Sequence, residues 1–477
     1  MRAGDRITIQ IERLSTGGEG VGRTDGMVVF VPYAAAGDRL EVEIVQTQKR
    51  FARGRILNIT QPSQDRVEPP CPYYYHCGGC TWQHIAYDAQ LRAKRDLVQE
   101  TLERLGGLKG ITVKPVLGMK DPWRYRNKVQ QPVGWDGKRL ISGFYAEGSH
   151  DIVPIDDCLV QSELSVKIIN RAKSLLEQNK VRAYDQERGQ GWIRHLLVRT
   201  SHPHPLAPSP LNMEKGDKTL SILKGEGVQS PGEGAKAMLV FVSREPSFPH
   251  EAAIGPVLAH EFPQLVAIHQ NVQPARTNVI LGRTWRKLYG QDYLEERLGR
   301  LTFRLSPGAF FQVNSPQAEV LYDVAKRMAG RGERLLDLYA GVGTIALWLS
   351  ENFQEIGGIE EFPGAVRDAE TNAEINGIEN ARFVAETAES FLGGLGSDRR
   401  PLTVVLDPPR AGCSPQVLRS LVSLRPSPLV YVSCDPGTLA RDLCVLSQGG
   451  YRVEEIQPVD LFPHTAHIET AVRLTHG

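Results

Sequence analysis

The stretch RLLDLYAGVGT, from Arg334 to Thr344, decides the fold. Its apolar first half reads as a buried strand; Gly341 and Gly343 then form a turn, and a helix is expected from Ile345. Roughly 20 residues on, Ile356-Gly-Gly-Ile-Glu360 reads as a second strand ending in a carboxylate. Glycines admit a ligand close to the backbone, and an acid at that place accepts hydrogen bonds from ribose hydroxyls. This is the geometry for a nucleoside cofactor. The turn departs from G-x-G-x-x-G, and no positive cradle for a pyrophosphate accompanies it. Asp337, at the first strand's end, suits a cofactor with a cationic amino-acid tail. Together these features point to S-adenosylmethionine rather than a nicotinamide dinucleotide.

Two further strand ends follow. Leu402-Thr-Val-Val-Leu406 runs into Asp407-Pro408-Pro409-Arg410, and Leu429-Val-Tyr-Val432 stops at Ser433-Cys434-Asp435-Pro436-Gly437, with a helix near Thr438. Alternating strands and helices predict an α/β fold: a Rossmann-like, mostly parallel sheet with right-handed crossovers, whose ligands bind where the strands end. Asp-Pro-Pro resembles a motif of amino-methyltransferases, which place an aromatic after the prolines to stack the target base. Here that position is Arg410. Cys434 has two readings, a small core residue or a nucleophile at the mouth of the sheet.

At 477 residues the chain exceeds one hydrophobic core, and three regions are expected: 1–60, 61–300 and 301–477. Lys and Arg number 56 against 55 Asp and Glu, so no global basic field announces nucleic acid, although a basic patch remains compatible with near-neutrality. The opening MRAGDRITIQ carries charges where a signal peptide needs apolar residues, and no apolar run approaches about 18 residues. A soluble, cytoplasmic chain with no membrane association is expected, and a monomer.

Residues 1–60 alternate in strand fashion at Ile7-Ile9-Ile11, Met27–Val31 and Leu40-Val42-Ile44, with a glycine-rich turn from Gly17 to Gly22. A small β-barrel is predicted. Such a barrel either packs on its neighbour or binds single-stranded nucleic acid, with Lys49, Arg50, Arg53 and Arg55 as candidate phosphate contacts. Next, CPYYYHCGGCTWQH sets Cys71, Cys77 and Cys80 at C-x5-C-x2-C spacing, with Cys158 the best fourth thiol among the seven cysteines. Four thiolates fit a structural zinc or an iron–sulfur cluster equally, with His76 and His84 as spare ligands under the zinc alternative. A helix is predicted from Tyr87 to Leu105. Trp123-Arg-Tyr-Arg-Asn-Lys-Val129 suits either base stacking with phosphate contact or a strand with a solvated basic face. Residues 201–236 read as a long flexible insertion in a mixed α/β middle region.

With these pieces assembled, the chain resembles the RNA uridine C5-methyltransferases, the family that includes transfer-RNA and 23S ribosomal-RNA enzymes. It is most similar to the branch with a TRAM domain and an iron–sulfur site. The resemblance spans nearly the whole chain outside 201–236 and rests on GDRITIQIERLSTGGEGVGR, CPYYYHCGGCTWQH, WRYRNKV, FFQVN at Phe310–Asn314, DLYAGVGT, LDPPRAG, VYVSCDPGTLARDL and FPHTAHIET. It implies a [4Fe-4S] cluster on Cys71, Cys77, Cys80 and Cys158. It also implies S-adenosylmethionine contacts from Gln312, Tyr339, Glu360 and Asp407, with Thr344 and Thr387 nearby. Relatives often have Phe-Cys where Tyr339-Ala340 stand, and can carry Asn at 344 and 387. The implied partner is RNA, ribosomal RNA before transfer RNA.

The implied chemistry explains the residue types. Uracil C5 is too weak a nucleophile to attack a methyl sulfonium unaided. A thiolate adding at C6 makes an enolate that pushes electron density onto C5, a role expected of Cys434. A base must then remove the C5 proton, and Glu469 in FPHTAHIE is the candidate. A stacked uracil cannot react, so the base should be flipped out of single-stranded or remodelled RNA. A cytosine C5-methyltransferase and a non-catalytic RNA-binding or assembly factor are the competing expectations. The second would lack the nucleophile or the cofactor acid, yet both residue types are present.

Overall fold

A computed structural model describes residues 1–202, 234–395 and 400–476. Most of the 201–236 segment therefore lies outside the described residues. The chain forms two compact units: one comprises Met1–Trp123, Phe144–Val153 and Ala309–Gly477, the other Arg124–Gly143 and Pro154–Gly308.

The first unit opens with a closed five-stranded barrel: Arg6–Leu14, Gly20–Thr24, Met27–Val31, Arg39–Thr47 and Phe51–Gln61. Period-two alternation explains it. Ile9, Ile11, Val29, Val31, Leu40, Val42, Ile44 and Ala52 fill the interior while intervening residues face outward. The fifth strand, Phe51–Gln61, escaped the sequence pattern because its charged residues mask the alternation. Arg53 and Arg55, expected to face phosphates, here pair with Glu19 and Glu43. The buried Asp38 anchors the exit from the barrel: Arg66 grips it with Nε and Nη2 at 2.8 and 2.7 Å.

The same unit contains a seven-stranded sheet in the order Ala381–Ala385, Phe353–Glu360, Gly332–Leu338, Leu402–Leu406, Leu429–Ser433, Glu469–His476, Tyr451–Val459. The first five run parallel. Glu469–His476 is antiparallel to both of its neighbours and lies between them. Strand order reverses between Gly332–Leu338 and Leu402–Leu406, and a crevice opens at such a switch point beyond the carboxyl ends of the strands. The parallel strands are buried on both faces and therefore read as continuous apolar runs, as in Leu429–Ser433.

The helix Pro436–Gln448 starts two residues before the expected position. Asp435 caps it, accepting the Thr438 N–H at 2.9 Å, and Pro436 takes the first turn, where its missing N–H costs nothing. Leu439, Ala440 and Leu443 share a core with Val98 and Leu102 of the helix Tyr87–Arg104.

The second unit is built on another seven-stranded sheet, ordered Thr284–Gly290, Leu265–Val272, Ala237–Ser243, Ile193–Thr200, Lys128–Trp135, Leu140–Tyr145, Ile152–Pro154. Helices Glu163–Gln178 and Glu251–Glu261 cover one face through Ile168, Ile169, Leu176, Ile254 and Leu258. Of the WRYRNKV stretch, Lys128 and Val129 begin a strand, while Arg124 forms an ion pair with Asp157 at 2.7 Å. No described helix is long and apolar enough to cross a membrane.

Candidate active site

The crevice at the strand ends collects the expected residues. The antiparallel ladder pairs Ser433 with Thr470, so Cys434, one position past the end of its strand, stands beside Glu469, the first residue of the neighbouring strand. Both stand beside the turn after Leu406. The Cys434 thiol is half-buried and pushed up to about 12, first by burial, then by the charges of Glu469 and Asp407; Arg410 works against them. Glu469 is 3% exposed, and its Oε2 has no hydrogen-bond partner among the described residues. Burial, and then Asp407, push its carboxyl well above the usual range, with Arg410 opposing. Asp407 is itself pushed up to about 7 by desolvation. A thiol and two carboxyls are thus held in a region that disfavours negative charge, and the exposed Arg410 is the cation that offsets it.

The turn after the strand Gly332–Leu338 is built on positive-φ backbone. Tyr339 at +72°, Gly341 at +55° and Gly343 at +83° curl the chain out of the first strand. A Cβ at Gly343 would approach Phe383 to 2.9 Å, so glycine is needed there for both reasons. Glu360 ties the two strand ends together: one oxygen accepts the Gly341 N–H and the other the Phe362 N–H, both at 2.9 Å. An ionised carboxylate has about four lone-pair sites, so it can still accept from a ligand. Asp337 accepts the Ala346 N–H at 2.9 Å with one oxygen, while its buried Oδ1 is unpartnered among the described residues. Desolvation first, and then Asp407 and Glu360, push it up to about 8, against the Ala346 bond.

The remaining candidates divide. Gln312 is buried, at 5% exposure. Thr344 begins a short helix, and its Oγ1 accepts the Tyr322 hydroxyl at 3.3 Å. Thr387 is exposed and caps the helix Ala388–Gly394 by accepting the Ser390 N–H at 3.3 Å. Tyr322 was missed by the sequence. It is wholly buried, and burial first, then Asp407, Asp337 and Glu469, push its phenol up against the Thr344 hydrogen bond. Its only sequence signal is helical periodicity, which marks it as core.

The cysteine loop follows the barrel. Cys71, Cys77 and Cys80 are half-buried; the Gly79 N–H donates to the Cys77 sulfur at 3.3 Å, and a Cβ at Gly79 would stand 3.4 Å from it. His84 is fully buried and its Nδ1 is bonded to the Tyr74 hydroxyl at 2.7 Å, whereas His76 is exposed. Cys158 is half-buried in the second unit, where its carbonyl accepts from Arg124 at 2.8 Å. Among the described residues no three His, Cys, Asp or Glu side chains converge on one metal ion. A four-iron cluster asks for something different: each thiolate binds its own iron, and backbone N–H groups bond the sulfurs. The three thiols of the loop and the Gly79 contact fit the chemistry of such a group.

A sheet of this order, with a glycine turn after its first strand, a carboxylate at the end of the second and a half-buried cysteine past the end of another, has the architecture of a methyltransferase. Residues 264–477 match the family model for tRNA (uracil-5-)-methyltransferase, and residues 2–57 match the TRAM domain. An uncharacterised RNA methyltransferase of Halalkalibacterium halodurans is 39% identical across 98% of this chain and 97% of its own length. One from Clostridium tetani is 37% identical across 98% and 96%. The crystal structure of Pyrococcus abyssi tRNA (uracil-54, C5)-methyltransferase in complex with S-adenosyl-L-homocysteine superposes with a TM-score of 0.74 at 27% identity, covering 98% of this chain and all of that one. The chain belongs to the tRNA (uracil-5-)-methyltransferase family of RNA methyltransferases.

Proposed function

We infer that this chain transfers a methyl group from S-adenosylmethionine to C5 of a uridine in RNA through a covalent bond between Cys434 and uracil C6. The carrying observation is the position of Cys434, one step past its strand, beside Glu469 at the start of the neighbouring antiparallel strand, next to a turn suited to a nucleoside. Cys434 adds to C6, and the negative charge passes through the ring to C5 and O4. Bound S-adenosylmethionine supplies the electrophilic methyl group. Glu469 then takes the C5 proton and the thiolate departs. Arg410 offsets the charge that develops beside Asp407 and Glu469. Gln312, Tyr339, Glu360 and Asp407 are proposed to hold the cofactor, with Thr344 in support. Thr387 is the weakest of the set because its hydroxyl already caps a helix.

The thiol needs help to ionise, and a sulfonium cation near it provides that. The same logic yields a prediction for binding. At pH 7 Asp337, pushed up to about 8, keeps much of its proton, and burial raises Asp407 as well. A ligand carrying a sulfonium and an ammonium favours the ionised forms and lowers both values, so binding releases protons. Titration calorimetry in buffers of different ionisation enthalpy is expected to show net release at pH 7 that fades by about pH 9, where both groups are already ionised. Net uptake at pH 7 would contradict the assignment.

Ribosomal RNA is the proposed substrate, as the resemblance to the cluster-bearing branch implies, with a [4Fe-4S] cluster held by Cys71, Cys77, Cys80 and Cys158 in an architectural role. Transfer RNA is the second reading, favoured by the family description and by the activity named for the Pyrococcus abyssi protein. The test of both uses ribosomal and transfer RNA transcripts containing 5-fluorouridine, incubated with protein and S-adenosylmethionine. Fluorine cannot leave as a proton, so a C5-methyltransferase stalls as a covalent protein–RNA adduct, seen as a shift on a denaturing gel. An adduct on one RNA names the substrate class. No adduct on either, with cofactor binding intact, sinks the covalent mechanism for these substrates.

A further inference from the structure

The helix Tyr87–Arg104 buries Gln90 and Lys94 in the same stripe as Leu97 and Val98. A lysine and a glutamine on the buried face of a helix call for partners, and both find them in one short turn. Lys94 and Asp460 are each 0% exposed; Lys94 Nζ donates to Asp460 Oδ1 at 2.6 Å and to the Phe462 carbonyl at 3.0 Å. The Tyr87 hydroxyl donates to the other Asp460 oxygen at 2.9 Å. One turn of helix away from Lys94, Gln90 Oε1 accepts the His464 N–H at 2.9 Å, and its Nε2 meets His464 Nδ1 at 3.2 Å. His464 itself sits at φ +64°, stacked on Trp123 at 3.8 Å, and its carbonyl accepts the N–H groups of Thr81 and Trp82, each at 3.0 Å. The turn at 460–464 is therefore gripped at the Asp460 carboxylate, at the Phe462 carbonyl and at both backbone polar groups of His464, five residues before Glu469.

Replacing a buried ion pair by apolar side chains is often neutral or stabilising, so stability does not account for this one. What the pair supplies is geometry. We propose that Gln90 and Lys94 are positioning residues for proton abstraction: from one helix face they hold the turn at 460–468 in the arrangement that sets Glu469 beside Cys434. The inference rests on Glu469 being the base, as argued above. In the step concerned, the C5-methylated ring still carries its C5 proton and the C6–sulfur bond. Glu469 takes the proton, the C–H electron pair becomes the C5–C6 double bond, and the C6–sulfur pair leaves on Cys434 as thiolate. Thiol addition and methyl transfer come before this step and do not need Glu469.

That order separates a positioning role from a general structural one. The test uses the full-length chain with Gln90→Leu and, separately, Lys94→Met combined with Asp460→Leu, which removes both charges and leaves none buried alone. RNA with ordinary uridine is run on denaturing gels beside single-turnover methyl transfer and product release. The expected result is a methylated covalent adduct that accumulates in both variants and not in the wild type. Release slows by about 100-fold, the scale of loss from an ångström of misplacement, while first-turnover methyl transfer and the fluorouridine adduct stay near wild-type levels. Release at the wild-type rate with no adduct overturns the proposal. So does parallel loss of methyl transfer and both adducts, which marks a purely structural role. Wild-type protein that forms no fluorouridine adduct sinks the methylation reading instead, and this inference with it.

Discussion

Cys434→Ala is expected to abolish methyl transfer, with a fall of about four orders of magnitude or more, and to leave binding of RNA and cofactor nearly unchanged. The thiol is half-buried at a strand end and caps nothing; the cap of the following helix is Asp435. Removing the sulfur therefore deletes a small volume and no hydrogen bond that the helix depends on. The chemistry has no substitute, because without addition at C6 the ring keeps its aromatic-like electron distribution and C5 does not attack. Two measurements decide the matter: radiolabelled methyl incorporation, and the fluorouridine adduct, which should vanish with it. Methylation surviving in Cys434→Ala would exclude the covalent route. Loss of methylation with RNA affinity retained would also exclude the non-catalytic binding factor, since such a factor has no turnover to lose.

Glu469→Gln is expected to behave differently. The amide keeps the shape of the side chain but cannot accept the C5 proton, so addition and methyl transfer proceed and resolution stalls. Turnover should fall by about 10² to 10⁴-fold, and ordinary uridine RNA should become covalently attached to the protein, carrying the new methyl group. The wild type should show a related effect of pH. Burial and Asp407 raise the Glu469 carboxyl, so the fraction able to act as base grows as pH rises, and release should speed up over that range while the adduct declines. If release were fastest at low pH, Glu469 would be acting as an acid and the assignment would be wrong.

The legible parts of this chain were those whose local pattern already contains the geometry. A strand, a glycine turn and a helix in RLLDLYAGVGT need no distant partner to be recognised, and Glu360 follows at a fixed distance along the chain. Other parts depend on contacts far apart in sequence. Lys94 looks like one more solvated charge on an amphipathic helix until Asp460, 366 positions away, is placed against it. Phe51–Gln61 reads as a basic loop because its outward residues are charged and its inward ones include Ala52 and Gly54. Thr387 looks like a ligand contact by resemblance, yet its spacing to Ser390 is also that of a helix cap. Cys434 and Glu469 could be nominated from their motifs, but their adjacency required the register of an antiparallel strand inserted into a parallel sheet.

That insertion also bears on how the protein is made. Tyr451–Val459 is synthesised before Glu469–His476, yet in the order of the sheet its one partner is that later strand. Until residues 469–476 emerge, Leu429–Ser433 has one unpaired apolar edge, and Tyr451–Val459 has only its bridges to Val113 and Leu117 to hold it. Exposed edges of this kind invite pairing with other chains. The nascent protein thus carries Cys434 through a period in which the sheet is open and Glu469 is not yet made. One late event, the docking of Glu469–His476 between its two neighbours, closes that edge and brings Glu469 to Cys434 in the same step.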